Sequence, residues 1–261
     1  MPYPLIRIPD QLPAVGVLQK LLNARAGSSL VPDGVFGQRT KAAVQSFQRS
    51  HPPLAVDGSV GANTWPRLSQ MADNLRIVDC VDVFDPSLYQ LEAQDLTRAG
   101  GNPLLIGGMS NGVEQAVTNI ISAVGGARDV FLLRFHGHGA PGVAGISMGH
   151  GGIPGEHHAG IHLGNWGYLQ PIVSRLSAIF GPYGCIQFMH CETGNGQNGR
   201  TMLQNIANAT GVPASGGIRT QFGGGSTTFR FEGPTATAFP AGGSLATWSA
   251  SRPEFAGMTV P

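Results

Sequence analysis

The chain has 261 residues, enough for one or two domains with a proper core. Charged residues make up 12%, about half the usual ~25%, while Gly (39) and Pro (19) are abundant, so the composition is that of a loop-rich globular protein. A formal net charge of +1 leaves no electrostatic footprint for nucleic acid or anionic lipid, and no apolar run approaches the ~20 residues of a membrane helix.

The first seven residues show no basic start followed by an apolar stretch, so no Sec-type signal is visible. Val15, Leu18, Leu21 and Leu22 form an apolar helical stripe, and Ala43, Val44 and Phe47 form a second. Between and after them lies a near-repeat: Asp33-Gly34-Val35-Phe36-Gly37-Gln38-Arg39-Thr40 recurs as Asp57-Gly58-Ser59-Val60-Gly61-Ala62-Asn63-Thr64. Each Asp-Gly marks a tight turn and each Thr a helix start. Three short helices are predicted over residues 12–70.

From residue 76 the pattern changes. Residues 76–84 read as a β-strand, and Asp85 caps a helix running to Gly100. Leu104–Gly107 is a short strand, and Asn111 with Glu114 forms a capping box for a helix to Val124. Asp129–Phe135 is a buried strand ending in His136-Gly137-His138-Gly139. Asn165 caps a helix to Gly181, and residues 185–190 form a strand ending in Cys191. A helix over 200–210 closes at Gly211, and 212–215 is a strand. Residues 227–231 and 235–239 read as a hairpin around Gly233-Pro234. Alternating strands and helices predict an α/β domain with a mainly parallel sheet.

In such sheets ligands sit beyond the carboxyl ends of the strands. One right-handed crossover brings His136/His138 and Cys191 to the same edge. There a thiolate attacks a carbonyl, and an imidazole takes the thiol proton and protonates the leaving amine. Gly139 and Gly194 leave room for substrate, and backbone N–H groups supply an oxyanion hole. By strand alternation His136 and His138 point to the same side. Seven of the eight histidines fall between His136 and His190, which keeps a zinc site open as a rival. There is, however, no HExxH run. Cys80 and Cys185 read as core thiols, with a disulfide between them left open.

Two resemblances add to this reading. Val17-Leu18-Gln19, the two Asp-Gly turns, Val44, Phe47-Gln48 and Thr64-Trp65 together resemble the three-helix peptidoglycan-binding module of bacterial cell-wall enzymes. That family implies wall binding, with Asp33, Gln38, Arg39 and an exposed-edge Trp65 as candidate contacts. A strand ending in His138-Gly139, followed after a crossover by Cys191-Glu192-Thr193-Gly194, resembles the caspase, legumain and gingipain clan of cysteine peptidases. This second resemblance implies Cys191 as nucleophile, His138 as general acid/base with His136 as the alternative, and the Gly139 and Cys191 amides as oxyanion donors. It also implies a specificity pocket, for which Glu192, Arg219 and Gln221 are candidates.

The expected architecture is a small all-α three-helix domain over 1–72 followed by a caspase-like α/β domain over 73–261. The expected function is cleavage of amide bonds in peptidoglycan stem peptides or wall-associated proteins, with no cofactor and no metal. The expected location is secreted, periplasmic or at the cell wall by a non-Sec route, as for a toxin-like effector or a lysin, and cytoplasmic before export. The alternatives are a zinc-dependent peptidoglycan amidase using the histidines, and a non-catalytic wall-binding pseudoenzyme.

Overall fold

The structure is a computed structural model that describes residues 1–107, 112–147 and 159–257. The predicted capping residue Asn111 and the histidines His150, His157 and His158 lie outside the described residues.

The helical region contains α1 (Pro13–Ala26), α2 (Gln38–Ser50) and the single turn α3 (Trp65–Leu68). Proline at the first position starts α1, and Gly27 in the left-handed region (φ 62°) ends it. The sequence repeat is also a hydrogen-bond repeat. The buried Gln19 side chain donates to Asp33 Oδ1 (2.8 Å), Val35 O and Thr40 Oγ1, and accepts the Gly34 N–H. The buried Gln48 likewise donates to Asp57 Oδ1 (2.9 Å), Ser59 O and Thr64 Oγ1, and accepts the Gly58 N–H. Each amide thus locks one Asp-Gly turn to the helix before it. Gly34 and Gly58 hold φ of 76° and 73°, which favours glycine at both turns. Gln19→Leu and Gln48→Leu each strand buried donors and acceptors at one turn. Each is expected to cost about 1–3 kcal/mol, read as a lower Tm in thermal denaturation.

The α/β region follows with β1 (Arg76–Asp82), α4 (Pro86–Arg98), β2 (Leu104–Ile106), α5 (Gly112–Val124) and β3 (Val130–His136). A small antiparallel sheet comes next: β4 (Gly139–Ala140), β5 (Val143–Gly145) and β6 (Gly160–His162). Then come α6 (Trp166–Ser174), β7 (Phe180–Phe188), α7 (Gly196–Thr210), β8 (Ala214–Gly217), β9 (Thr235–Ala238) and α8 (Leu245–Ser251). The main sheet has the order β2-β1-β3-β7-β8-β9, parallel throughout except for β9.

One face of this sheet packs Leu133, Phe135, Ile186 and Phe188 against apolar residues of α5, α6 and α7. The other face belongs to a core shared with the helical region: Leu18, Leu22, Phe47 and Trp65 pack in one cluster with Phe131, Leu132, Cys185 and Trp248. Helix α1 lies against β7 and α8. Residues 2–6 run between the two parts. The Pro2 carbonyl accepts from Arg134, Pro4 O accepts the Trp65 indole N–H, Leu5 N–H donates to Phe229 O, and Ile6 pairs with Val60.

Several local expectations change. The 227–231 and 235–239 hairpin does not form. Residues 225–229 are a 3-10 turn tied to Asp95, and β9 pairs with β8 instead. Helix α6 gives way to a 3-10 turn at 175–178, so β7 begins at Phe180. Asn165 stands at the N-cap position of α6 but makes no side-chain cap hydrogen bond to it. Its side chain bonds Gly160 O and His162 N–H, which fixes the end of β6. All three cysteines are free thiols, and Cys80 and Cys185 sit on β1 and β7 with β3 between them.

Candidate active site

Strands β3 and β7 are neighbours and parallel, with Phe135 paired to Phe188. His138 follows Phe135 by the same three residues by which Cys191 follows Phe188, so both leave the same sheet edge. The two connections are pressed together. A Cβ on Gly139 would lie 2.7 Å from His190 Cβ, 2.8 Å from Thr193 Oγ1 and 2.9 Å from Cys191 O. The turn after the cysteine is tied down on both sides. Thr193 donates to Val143 O, Glu192 N–H to Arg219 O, and Gly194 N–H to Gly217 O. Glu192 holds φ at 53°, a left-handed conformation that strains a non-glycine residue. Such strain persists where surrounding contacts fix it and concentrates at functional turns.

His138 is about half exposed, and its Nε2 stands 2.9 Å from Asp85 Oδ2. Asp85 also caps α4, accepting the Ser87 and Leu88 N–H groups and the Ser87 hydroxyl. The Ser87 and His138 hydrogen bonds hold the Asp85 carboxyl well below the usual carboxylate range. An ionised carboxylate on Nε2 fixes the proton on that nitrogen and leaves Nδ1 as the basic atom of the ring.

Cys191 is partly exposed. Its thiol donates to Gln221 O (3.3 Å), and its sulfur accepts the Gln221 N–H (3.4 Å). The Gln221 amide holds its own loop in turn, donating to Arg219 O and accepting the Glu232 N–H. Beyond it, Gly223 abuts Leu88 of α4. The site is therefore a ring: Cys191 to the 219–223 loop, that loop to α4, the α4 cap to His138, and Gly139 back to the Cys191 turn. Cys80 and Cys185, by contrast, are fully buried, and desolvation pushes both thiols up.

His136 and His138 do not share a side. His136 is buried, with Nε2 3.1 Å from Asp79 Oδ1 and Nδ1 3.5 Å from Glu92 Oε1. Strand β3 ends at His136, and the alternation that would align the two rings stops there. Asp79 also receives a two-pronged bond from the buried Arg134. Burial opposes ionisation of Asp79, but Arg134 and His136 more than offset it and hold the carboxyl low. Burial likewise opposes charging His136, but Glu92 and Asp79 offset it and raise this imidazole. His136, proposed from sequence as the alternative base, is thus committed to buried carboxylates. Among the described residues no three His, Cys, Asp or Glu side chains are grouped as metal ligands.

His190 is buried with its Nε2–H on the Gly145 carbonyl, and burial pushes its imidazole down to about 3. The unfolded chain therefore takes up a proton at His190 near the ordinary 6.5, while the folded chain does so only near 3. Over that window stability falls as pH falls, by up to about 1.4 kcal/mol per pH unit. His136 acts in the opposite sense: its contribution is complete below the ordinary histidine value and is lost as pH rises through its raised folded value. Urea unfolding of His190→Asn is expected to show a flatter loss of stability toward acid pH than that of the wild type.

The remaining sequence candidates are dispersed. Glu192 and Gly194 lie on the Cys191 turn, and Gln221 touches the thiol through its backbone. Arg219 is exposed and contributes its carbonyl to Glu192. In the helical region Gln38 and Arg39 are exposed on α2, while Asp33 is engaged by Gln19. Trp65 is not at an exposed edge. It is fully buried, stacks on Tyr3 and donates to Pro4 O, so the large apolar ring serves the core. Asp85 was legible only as a helix cap, because its bond to His138 spans 53 residues.

Residues 11–68 match the family model "Putative peptidoglycan binding domain". The chain thus carries a peptidoglycan-binding domain at its N-terminal end, followed by an α/β region with a mainly parallel six-stranded sheet. No curated protein and no solved structure matches the chain. Among the described residues no helix is long and apolar enough to cross a membrane.

Proposed function

We propose that the chain is a wall-targeted cysteine hydrolase of the caspase-like kind, cleaving amide bonds in stem peptides or wall-associated proteins. The observation that carries this reading is the delivery of a partly exposed Cys191 and an aspartate-held His138 to one sheet edge by adjacent parallel strands. The peptidoglycan-binding domain supports the cell wall as the place of action, since tethering raises the local concentration of substrate.

The chemistry follows from the groups present. Substrate displaces the Cys191 thiol from Gln221. The thiol proton passes to His138 Nδ1 as the sulfur forms a bond to the substrate carbonyl carbon. Asp85 stabilises the imidazolium that results. The oxyanion is held by backbone N–H groups of the Gly139 and Cys191 connections. His138 then returns the proton to the leaving amine as the C–N bond breaks. Water, deprotonated by the same imidazole, cleaves the thioester and restores the thiol.

The test is product mass spectrometry on purified sacculi and on a mixed peptide library. New amide-cleavage products that vanish after thiol alkylation and persist with a chelator are expected. Products that vanish with the chelator alone would replace this reading with a metal amidase.

A further inference from the structure

A cleft of about 430 Å³ opens where the second Asp-Gly turn meets the α/β region. Its size is that of small-ligand sites, ~300–1,000 Å³. Three cationic side chains line it: Arg7 from the N-terminal arm, Lys41 from α2, and Arg230 from the segment before β9. Asp57 is the one carboxylate among its lining residues, and Oδ1 of that group is already taken by Gln48 and the Ser59 N–H. The Lys41 stem lies over the turn, 2.8 Å from where a Cβ on Gly58 would stand, so glycine at 58 lets the lysine cross into the cleft.

Arg230 is the informative member. Its side chain is only 15% exposed, it forms an ion pair with Asp10 Oδ1 at 3.6 Å, and among the described residues its buried Nε has no acceptor. At that separation the Asp10 contact is too long for a full hydrogen bond. Asp10 therefore balances the charge of this guanidinium but leaves its hydrogen bonding incomplete, and a buried N–H without an acceptor is costly until a further acceptor completes it. Arg230 also lines a second cleft of about 300 Å³, together with residues 9–12 and 233–235.

We propose that this cleft is an anion subsite that binds a carboxylate of the wall stem peptide, with Arg7, Lys41 and Arg230 as its contacts. The proposal rests on the wall-binding reading and deepens it. The peptidoglycan-binding domain does not hold the ligand alone, because the α/β region contributes Arg230. Bound glycopeptide would then bridge the two parts of the molecule.

The experiment uses the full chain carrying Cys191→Ala, titrated with a purified disaccharide-tripeptide muropeptide, with neutral diacetylchitobiose, and with a glycerol-phosphate oligomer. Muropeptide is expected to bind most tightly. Arg230→Gln and Lys41→Gln are each expected to weaken it about tenfold or more, the scale of a lost charge-assisted hydrogen bond, while the exposed Arg49→Gln does not. Lys41 is one of two lysines in the chain, and the other, Lys20, is buried against Glu254. Acetylation of Lys41 by an amine reagent, read by peptide mass, is therefore expected to be blocked by muropeptide. Equal muropeptide affinity in wild type, Arg230→Gln and Lys41→Gln would overturn the site while leaving wall binding intact. Tighter binding of the glycerol-phosphate oligomer would overturn the carboxylate assignment. Failure of the Cys191→Ala chain to bind whole sacculi would overturn the proposal together with the wall-binding reading.

Discussion

Replacing Cys191 by alanine is expected to lower kcat/KM for amide cleavage by about 10⁴-fold or more, the scale seen when a covalent nucleophile is removed. The same change is expected to leave the fold in place. Among the described residues the thiol hydrogen-bonds to the Gln221 backbone, and it sits partly exposed at the end of a strand connection. Its loss creates no buried cavity, so the stability cost stays within about 1 kcal/mol. Loss of activity with an unchanged Tm separates a nucleophile from a packing residue. A similar loss of activity from Cys185→Ala would have another cause, because Cys185 is fully buried in β7 with its thiol on Phe131 O.

The second large effect is expected at Asp85. Asn at this position remains a good helix N-cap, so α4 keeps its start, but the negative charge beside His138 is gone. The imidazole then loses both its orientation and the stabilisation of its protonated form. A fall in kcat of about 10²- to 10⁴-fold is expected from Asp85→Asn, with KM and Tm close to wild type. Asp85→Ala adds loss of the cap, about 1 kcal/mol, and so lowers Tm as well. Steady-state kinetics beside thermal melts distinguish the two variants. A wild-type kcat in Asp85→Asn would remove Asp85 from the mechanism.

Much of the architecture was legible because it rests on local chemistry. The Asp-Gly turns, the apolar stripes of α1 and α2, the Gly211 stop after α7 and the Asp85 cap are signals within a few residues of where they act. That the connections after β3 and β7 leave one sheet edge side by side was legible for a topological reason, since a parallel crossover brings strand ends together. What escaped depends on distance. Gln19 and Gln48 serve turns 14 and 9 residues away, and a buried glutamine on a helix carries no local mark of such a role. The bond from Asp85 to His138 and the grip of Gln221 on Cys191 exist only after the sheet assembles. The expected hairpin failed because Phe231 joins the core shared with the helical region, leaving β9 to pair with β8. Trp65 followed the same rule: a large ring is worth more buried than at an edge, provided its N–H finds a carbonyl, here that of Pro4.

The measurement that bears most directly on Cys191 as the nucleophile is stoichiometric alkylation followed by intact and peptide mass spectrometry, with activity read in the same samples. Cys80 and Cys185 are buried thiols that desolvation keeps protonated, so they resist the reagent. One adduct per chain, on Cys191, with activity lost in proportion to labelling, is the predicted result. A chain fully labelled at Cys191 that still cleaves its substrate would contradict the account.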